Sequence, residues 1–410
     1  MRLVLAANVI SMIGSGMNSA AVSWYVLQAT HSEIALGWLI VLQTIPTLLL
    51  APVSGVIIDR EDRRRLVMVL DGARALVILL VAVLVMQHRA QLWHLYAMNI
   101  LVATGFWMFW PAINALIQEL SPATHFVHAN TLFMAGIQGG WLISGAIVGF
   151  VYNRIGLGGV LLIDFASYLL SMLCYFGVRK GRHVVRHPDR RAEMARLEGA
   201  FARFIDETRE GIHYLRGNQY VLLLGASSAL LLGAMLGQNA INAPLVDRVL
   251  HRGAVGFGWI NAGWGIGAFI TALFVPALVR RFGARTTVAV SMATISGATF
   301  LAPFFSALWV SVLLFLIMGA SRGVAGVAIN TGMMETVPRH YMGRVQSTFA
   351  VAGRMLQMTL GMGVGFVAQR YSLTAAFFII GAAYFAGCVT ATAAQPQTAA
   401  VVEREAVSIE

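Results

Sequence analysis

Long runs of hydrophobic residues, separated by short polar segments, follow one another along the whole chain. A membrane-spanning helix needs about 20 apolar residues, and twelve runs of suitable length are present. They cover residues 3–28, 34–58, 66–87, 92–118, 129–152, 156–178, 219–243, 254–279, 286–306, 308–334, 345–369 and 372–394. A transmembrane β-barrel would instead alternate apolar and polar residues in segments of about ten. Because the runs are continuous, the pattern predicts an all-α membrane protein with twelve transmembrane helices.

The longest polar segment divides these spans six and six. We therefore expect an N-terminal bundle over 1–178, a linker over 179–217, a C-terminal bundle over 218–394 and a tail over 395–410. Apolar residues recur at helical spacing within the linker, at Leu197, Phe201, Phe204, Ile205, Ile212 and Leu215. This spacing predicts an amphipathic helix on the inner membrane surface. It would connect the two halves; a regulatory role is the alternative.

The composition excludes a soluble enzyme and a disordered chain. Of 410 residues, 58% are hydrophobic and 11% are charged, and the mean hydropathy is +0.74. Soluble domains are roughly 45–50% apolar and about 25% charged. Cys174 and Cys388 lie inside apolar runs, which favours reduced packing residues over disulfide or zinc chemistry. The first run is too long for a signal peptide, so we expect it to remain as the first helix.

The net charge of +11 fits either a nucleic-acid-binding surface or a membrane topology signal. With the N-terminus in the cytoplasm, nine basic residues fall in inner loops and ten in the linker, against five in outer loops. This bias follows the positive-inside rule. It predicts a bacterial inner-membrane protein with both termini in the cytoplasm and no nucleic-acid partner.

The two halves repeat each other in sequence. Gly37-Trp38 recurs as Gly258-Trp259, 221 residues later, and at the same offset Arg64 aligns with Arg285. Glu119-x-x-Pro122 recurs as Glu335-x-x-Pro338 at an offset of 216. Duplicated bundles of this kind form a central cleft that opens to alternate sides when one bundle rocks against the other.

The sharpest motif lies between spans two and three. It reads Gly55-Val-Ile-Ile-Asp59-Arg60-Glu-Asp62-Arg63-Arg64-Arg65. On physical grounds alone it is a basic turn with an acidic neighbour, in which Gly55 permits close helix approach. The motif resembles the signature loop of the major facilitator superfamily, and with the twelve spans the resemblance covers essentially the whole chain. It implies a gating role for Gly55, Asp59, Arg60, Arg63 and Arg64.

The variant with Asp62 in place of the family's second glycine resembles an exporter branch of enterobactin-exporter-like and macrolide-efflux-like proteins. Further stretches similar to that branch are Ser23-Trp24-Tyr25, Asp71-x-x-Arg74-Ala75, Ile163-Asp164-x-x-Ser167 and Val337-Pro338 with Gly343-Arg344-Val345. The second-half copy of the loop departs from the pattern, because Arg280 stands where Asp59 stands in the first half.

Ionisable residues at membrane depth are costly unless they are paired, so each is a functional candidate. They are Asp71, Arg74, Asp164, Arg322 and Arg354, with Glu119 and Glu335 at the inner ends of spans. Asp71 and Arg74 are three residues apart and can pair on one helix face. For Asp164 we expect a buried carboxyl group that is hydrogen-bonded or protonated; the alternative is a proton carrier. We expect Arg322 and Arg354 to contact the substrate or the gate; the alternative is that they pair with carboxylates or backbone carbonyls inside the protein.

Neutral polar and aromatic residues are concentrated on the helices that should line the cleft. The candidates are Asn8, Ser11, Asn18, Trp107, Trp110, Gln138, Gln238, Asn239 and Asn242, and packing is the alternative for each. The sequence shows no phosphate-binding loop, no metal-ligand spacing and no Ser-His-Asp arrangement at membrane depth. We therefore expect a transporter without a metal or cofactor rather than an enzyme.

The sequence thus favours a monomeric efflux transporter that moves a small organic molecule, a siderophore or an amphipathic drug, against inward proton flow. The two arginines favour an anionic substrate, because a guanidinium stays ionised and binds carboxylates with two parallel hydrogen bonds. The alternatives are an uptake symporter, a lipid-flipping carrier of the same fold, and a ligand-binding membrane sensor.

Overall fold

The fold is described from a computed structural model that covers residues 2–58, 61–120, 126–178, 190–272 and 274–394. Within these ranges the chain forms twelve α-helices and no strand. They are α1 (Arg2–Thr30), α2 (Glu33–Ile58), α3 (Arg63–Met86), α4 (Leu92–Leu120), α5 (Phe126–Phe176), α6 (Arg190–Gly217), α7 (Gln219–Leu245), α8 (Gly253–Ala272), α9 (Val275–Leu301), α10 (Leu308–Thr336), α11 (Arg339–Arg370) and α12 (Leu373–Ala393). A π-helical turn, Val246–Leu250, follows α7. The predicted all-α fold is confirmed.

Ten helical stretches among the described residues are long and apolar enough to cross a membrane. One of them, Gly136–Phe176, has 41 residues and is broken at Gly156, where φ is +64°. Glycine adopts this left-handed backbone without steric cost, so α5 contains the predicted fifth and sixth spans. A second break, at Gly283 with φ +77°, separates the first turns of α9 from the ninth span.

The helices pack as two groups. In the first, α1 and α3 pack on α5, and α4 packs on α2 and α3; in the second, α7 packs on α11 and α12, α8 on α10, and α9 on α10 and α12. The chain crosses from end to end with each successive span. We call the end with the start of α1, the linker helix α6 and the end of α12 the terminal face, and the opposite end the distal face.

Two glycines bring the groups into close contact. A Cβ on Gly37 of α2 would lie 2.9 Å from the carbonyl oxygen of Gly361 in α11, and a Cβ on Gly258 of α8 would lie 3.1 Å from the amide nitrogen of Gly149 in α5. The repeated Gly-Trp pair thus occupies equivalent positions, each glycine on a helix of one group facing a helix of the other.

The linker helix α6 packs on α11, α7 and α2. Glu210 forms an ion pair of 2.7 Å with Arg344, and Tyr214 stacks on Tyr341 with ring centroids 4.6 Å apart. The predicted amphipathic helix therefore forms from residue 190, and part of its apolar face covers protein. Ile205 stays 61% exposed. Linker residues 179–189 and the tail 395–410 lie outside the described residues.

Candidate functional site

A cavity of about 470 Å³ lies between the two helix groups. Four helices of each group line it: α1, α2, α4 and α5 on one side, and α7, α8, α10 and α11 on the other. Six of the predicted cleft residues, Asn18, Trp107, Gln138, Gln238, Asn239 and Asn242, are in its wall, as are Arg322 and Arg354. In the part of the chain that the structure describes, no Asp or Glu lines the cavity.

Arg354 of α11 bridges the two groups across the cavity. Its guanidinium carbon lies 4.3 Å from the ring centroid of Trp107 in α4, a cation–π contact. One guanidinium nitrogen, Nη1, donates a hydrogen bond of 3.1 Å to Oε1 of Gln357. Stacking fixes the plane of the guanidinium and leaves its other N–H groups as donors.

Arg322 of α10 is the second cation of the cavity. It is half-buried, and the described residues offer it no hydrogen-bond acceptor or carboxylate partner. A guanidinium has five N–H donors and remains charged in proteins. The cavity therefore presents a cation whose hydrogen-bonding capacity is unused by the residues that the structure describes.

The carboxylates buried in the first group have partners of their own. Asp71 forms an ion pair with Arg74, and Asp164 accepts a hydrogen bond of 2.7 Å from Nδ2 of Asn18. Arg74 lies between two aromatic rings, 4.6 Å from the centroid of Phe109 and 4.5 Å from that of Tyr168. These contacts leave the charge of Arg322 and Arg354 uncompensated by the buried acids.

Contacts at the distal face hold the two groups together above the cavity. Arg248, in the π-helical turn, forms an ion pair with the fully buried Glu33 at the start of α2. Ser32 donates a hydrogen bond of 2.7 Å to Oε1 of Gln369 at the end of α11. The close approach of α5 and α8 around Gly149 lies at the same depth. These contacts join the two groups at the distal face.

The loop motif before α3 makes contacts at the terminal face. The side chain of Asp62 caps α3 by accepting from the amide of Arg65 at 3.0 Å. Arg63 pairs with Glu119 at 3.6 Å. Arg64 donates to the carbonyl oxygens of Tyr175 and Phe176, each at 2.7 Å, at the end of α5, where the helix dipole favours a cation. Asp59 and Arg60 lie outside the described residues, as do the surroundings of Gly55.

The second half repeats one of these contacts. Arg285, the counterpart of Arg64, donates to the carbonyl oxygen of Thr392 at the end of α12, so both arginines cap the last span of their group. Glu335, the counterpart of Glu119, is exposed, and no ion pair forms on it among the described residues. The expectation of matched contacts for the two glutamates stays a prediction.

Three predicted cleft residues lie elsewhere. Asn8 and Ser11 are buried, 1% and 0% exposed, and lie on α1 nearer the terminal face than Ser15 and Asn18, which line the described cavity wall. Trp110 packs on Phe106 and Phe133 in the core. Helical periodicity groups residues on a face but does not say which neighbouring helix covers that face.

The sequence interpretation also missed functional candidates. Polar cavity residues that it did not name include Gln43, Asn99, Asn261 and Gln357; their signal is an amide within an apolar run. It also missed the Glu33–Arg248 pair, whose partners are far apart in sequence. Among the described residues, no group of three or more His, Cys, Asp or Glu could hold a metal ion.

Comparisons with known proteins point to one family. The family model described as Major Facilitator Superfamily matches residues 4–361 and 229–407. The multidrug efflux pump Tap of Mycolicibacterium fortuitum is 23% identical, over 84% of this chain and 83% of its own. Macrolide efflux protein A of Streptococcus pyogenes is 22% identical, over 88% and 86%. The uncharacterized MFS-type transporter YfiS of Bacillus subtilis is 24% identical, over 92% and 89%.

Solved structures share the fold. The nucleoside transporter NupG is 14% identical and superposes with a TM-score of 0.73, covering 97% of this chain and 100% of its own. A bacterial homologue of the iron transporter ferroportin, in an inward-facing state, is 15% identical with a TM-score of 0.70, covering 94% and 98%. At these identities the likeness shows the architecture alone.

Proposed function

The chain belongs to the major facilitator superfamily, and we propose that it exports a small organic anion across the bacterial inner membrane in exchange for protons. As a family member it is a multi-pass membrane transporter rather than an enzyme. The relatives that are named as efflux proteins support the direction of transport. Siderophores and amphipathic drugs with a carboxylate or catecholate are the cargo classes that we propose.

The cationic cavity is the observation that carries this proposal. Arg322 and Arg354 lie in its wall without a described carboxylate beside them. Burying uncompensated charge in a membrane is costly, so an anionic ligand would gain from neutralising it. Trp107 beneath Arg354, together with Trp141 and Trp264 in the wall, favours a cargo with an aromatic or apolar body.

We further propose that the cavity opens alternately to the two faces. The basic bias of the loops and linker favours the cytoplasm for the terminal face, and the distal face would then be periplasmic. The match to an inward-facing ferroportin homologue supports the cytoplasm-accessible state for this conformation. The division into bundles 1–178 and 218–394, joined by 179–217, gives the two rocking bodies, and one monomer contains the complete cavity.

Binding of an aromatic carboxylate tests this proposal. With purified protein and dihydroxybenzoate as the probe, we expect saturable binding that quenches the tryptophan fluorescence of the protein. Arg322→Gln and Arg354→Gln should each weaken the affinity about 10- to 100-fold, since a hydrogen bond to a charged group contributes about 1.5–3 kcal/mol. Lys at either position should restore binding only in part, because an ammonium lacks the two-pronged geometry.

The control is Arg370→Gln, at an exposed arginine at the distal end of α11, which should bind like the wild type. Wild-type affinity in both Gln variants, or tighter binding of the lipophilic cation tetraphenylphosphonium, would contradict the anion proposal.

Counterflow of preloaded substrate in proteoliposomes separates a carrier from a membrane sensor, because a sensor shows no counterflow. Transport of phospholipid rather than dihydroxybenzoate would favour the lipid-flipping alternative, and proton-driven uptake into cells would favour the symporter.

A further inference from the structure

A second polar region lies apart from the arginines of the cavity, between α1, α3 and α5. Three of its residues carry a carboxyl or a guanidinium group. They are Asp71, Arg74 and Asp164, which are 0%, 1% and 0% exposed. We call them the buried triad. Their neighbours are neutral: Ser15 and Asn18 on α1, Ser167, Tyr168 and Ser171 on α5, and Phe109 on α4.

The charges of the triad do not balance. Two carboxylates and one guanidinium give a net charge of −1 when all are ionised, and none of the three residues is more than 1% exposed. A buried charge without a counterion is strongly unfavourable. One bound proton brings the triad to neutrality.

The hydrogen bonds indicate where that proton belongs. Asp71 is engaged on both oxygens, with Arg74 at Oδ1 and with the hydroxyl of Ser171 at Oδ2, 2.7 Å away. Asp164 accepts a hydrogen bond of 2.7 Å from Asn18 at Oδ2. The Ser167 hydroxyl is directed to the main-chain oxygen of Asp164 at 2.7 Å and lies 3.4 Å from Oδ1. Among the described residues, Oδ1 of Asp164 therefore has only this long contact with a hydroxyl, and it is the oxygen better placed to take a proton.

Two paths connect Asp164 with its surroundings. Toward the cavity, Asn18 and Tyr168 both contact the triad and line the cavity wall. Toward the terminal face, Asn8, Ser11, Ser15 and Asn18 share one face of α1, and Tyr175 lies further along α5. Both polar side-chain atoms of Asn8, the Ser11 hydroxyl and the Tyr175 hydroxyl are buried and have no partner among the described residues. Buried polar atoms of this kind are usually satisfied by ordered water.

We propose that Asp164 is a proton-binding site of this transporter. The proton reaches it along the polar side chains of Asn8, Ser11 and Ser15 on α1, and Asn18 links it to the cavity. The proton adds to Oδ1 of Asp164 and leaves from the same oxygen, while the Asp71–Arg74 pair stays intact. Because α1 lines the cavity and also closes on Asp164 at Gly14, movement of α1 on substrate binding changes the environment of the proton. This inference deepens the proposed proton exchange and rests on it.

Infrared spectroscopy of the purified protein in lipid tests the site directly. A protonated carboxylic acid has a carbonyl stretching band that a carboxylate lacks. We expect a pH-dependent acid band in the wild type and in Asp247→Asn, a control at an exposed acid of the distal face, and no such band in Asp164→Asn. Asn18→Ala should move the band to higher frequency, because it removes a hydrogen bond to Asp164. Ser171→Ala, which removes a hydrogen bond to Asp71, should leave it in place.

An acid band that persists in Asp164→Asn, a wild type without a pH-dependent band, or a band that moves with Ser171→Ala and not with Asn18→Ala would overturn the assignment. The proposed function fails in a different assay. If a proton gradient drives no transport by the wild type although Asp164 shows the expected band, the exchange is wrong and the proton site stands. If transport is proton-driven and the band is independent of Asp164, the exchange stands and this inference is wrong.

Discussion

At the scale of single residues, the Glu33–Arg248 pair controls how firmly the distal face is closed. Glu33 is fully buried, whereas the Arg248 side chain is 45% exposed. Removing the arginine leaves a buried carboxylate without a counterion, and the loss of one partner of a buried ion pair costs about 3–5 kcal/mol. Opening of the distal face would return Glu33 to water. Arg248→Gln should therefore increase the fraction of molecules in the conformation with an open distal face.

Distances between spin labels at the exposed positions His31 and Tyr371, one in each half, measure this shift. We expect longer distances to gain weight in Arg248→Gln and to remain at the wild-type level in Arg252→Gln, where the neighbouring exposed arginine forms no described ion pair. An unchanged distribution in Arg248→Gln would show that the pair has no part in closing the face.

Single residues were also where sequence reasoning succeeded and failed most clearly. Arg322 and Arg354 were predictable because a charge within an apolar run has few explanations other than a cavity or a buried partner. The burial of Asn8 and Ser11 was not predictable, because the covering helix is distant in sequence. The Glu33–Arg248 pair escaped notice for the same reason, since each residue alone resembles an ordinary loop charge.

At the scale of helices, the contact of α5 with α8 sets the distal closure. A Cβ on Gly149 would lie 2.3 Å from the carbonyl oxygen of Ala254 and 2.9 Å from the Cα of Val255. Because these are backbone atoms, the helices themselves must separate. Gly139, on the same helix, has nothing within 4 Å of the corresponding position. Both substitutions by alanine change helix propensity in the same way, by about 1 kcal/mol.

We therefore expect Gly149→Ala to lengthen the distance between labels at the exposed residues Arg154 and Arg252, and to weaken substrate binding from the terminal side. Gly139→Ala should behave as the wild type in both measurements. Equal behaviour of the two variants would mean that α5 and α8 are not held by this contact.

Helices were the level at which the sequence was most informative. Hydrophobic run length predicted the spans because the membrane thickness fixes it, and the glycine breaks at Gly156 and Gly283 fall near the predicted ends of runs. The docking of α6 on α11 was beyond prediction from periodicity, which identified an apolar face without saying whether lipid or protein covers it.

At the scale of the whole molecule, the proposed exchange has an electrical consequence. An anion that leaves the cell and a proton that enters move charge in the same sense, so each cycle transfers two elementary charges. One charge crossing the membrane is driven by about 2.3 kcal/mol per 100 mV. The resting potential alone would therefore supply about 4.6 kcal/mol per cycle at that voltage, in addition to the pH gradient.

Transport into everted inner-membrane vesicles tests the central claim most directly, with dihydroxybenzoate and tetraphenylphosphonium as paired probes. Their lumen corresponds to the periplasm, so export appears as accumulation. We predict that an acidic lumen drives accumulation of dihydroxybenzoate, that a lumen-positive potential increases it, and that vesicles without the protein show neither effect. Accumulation of tetraphenylphosphonium in place of dihydroxybenzoate would contradict the account. So would an accumulation of dihydroxybenzoate that depends on neither the pH gradient nor the membrane potential.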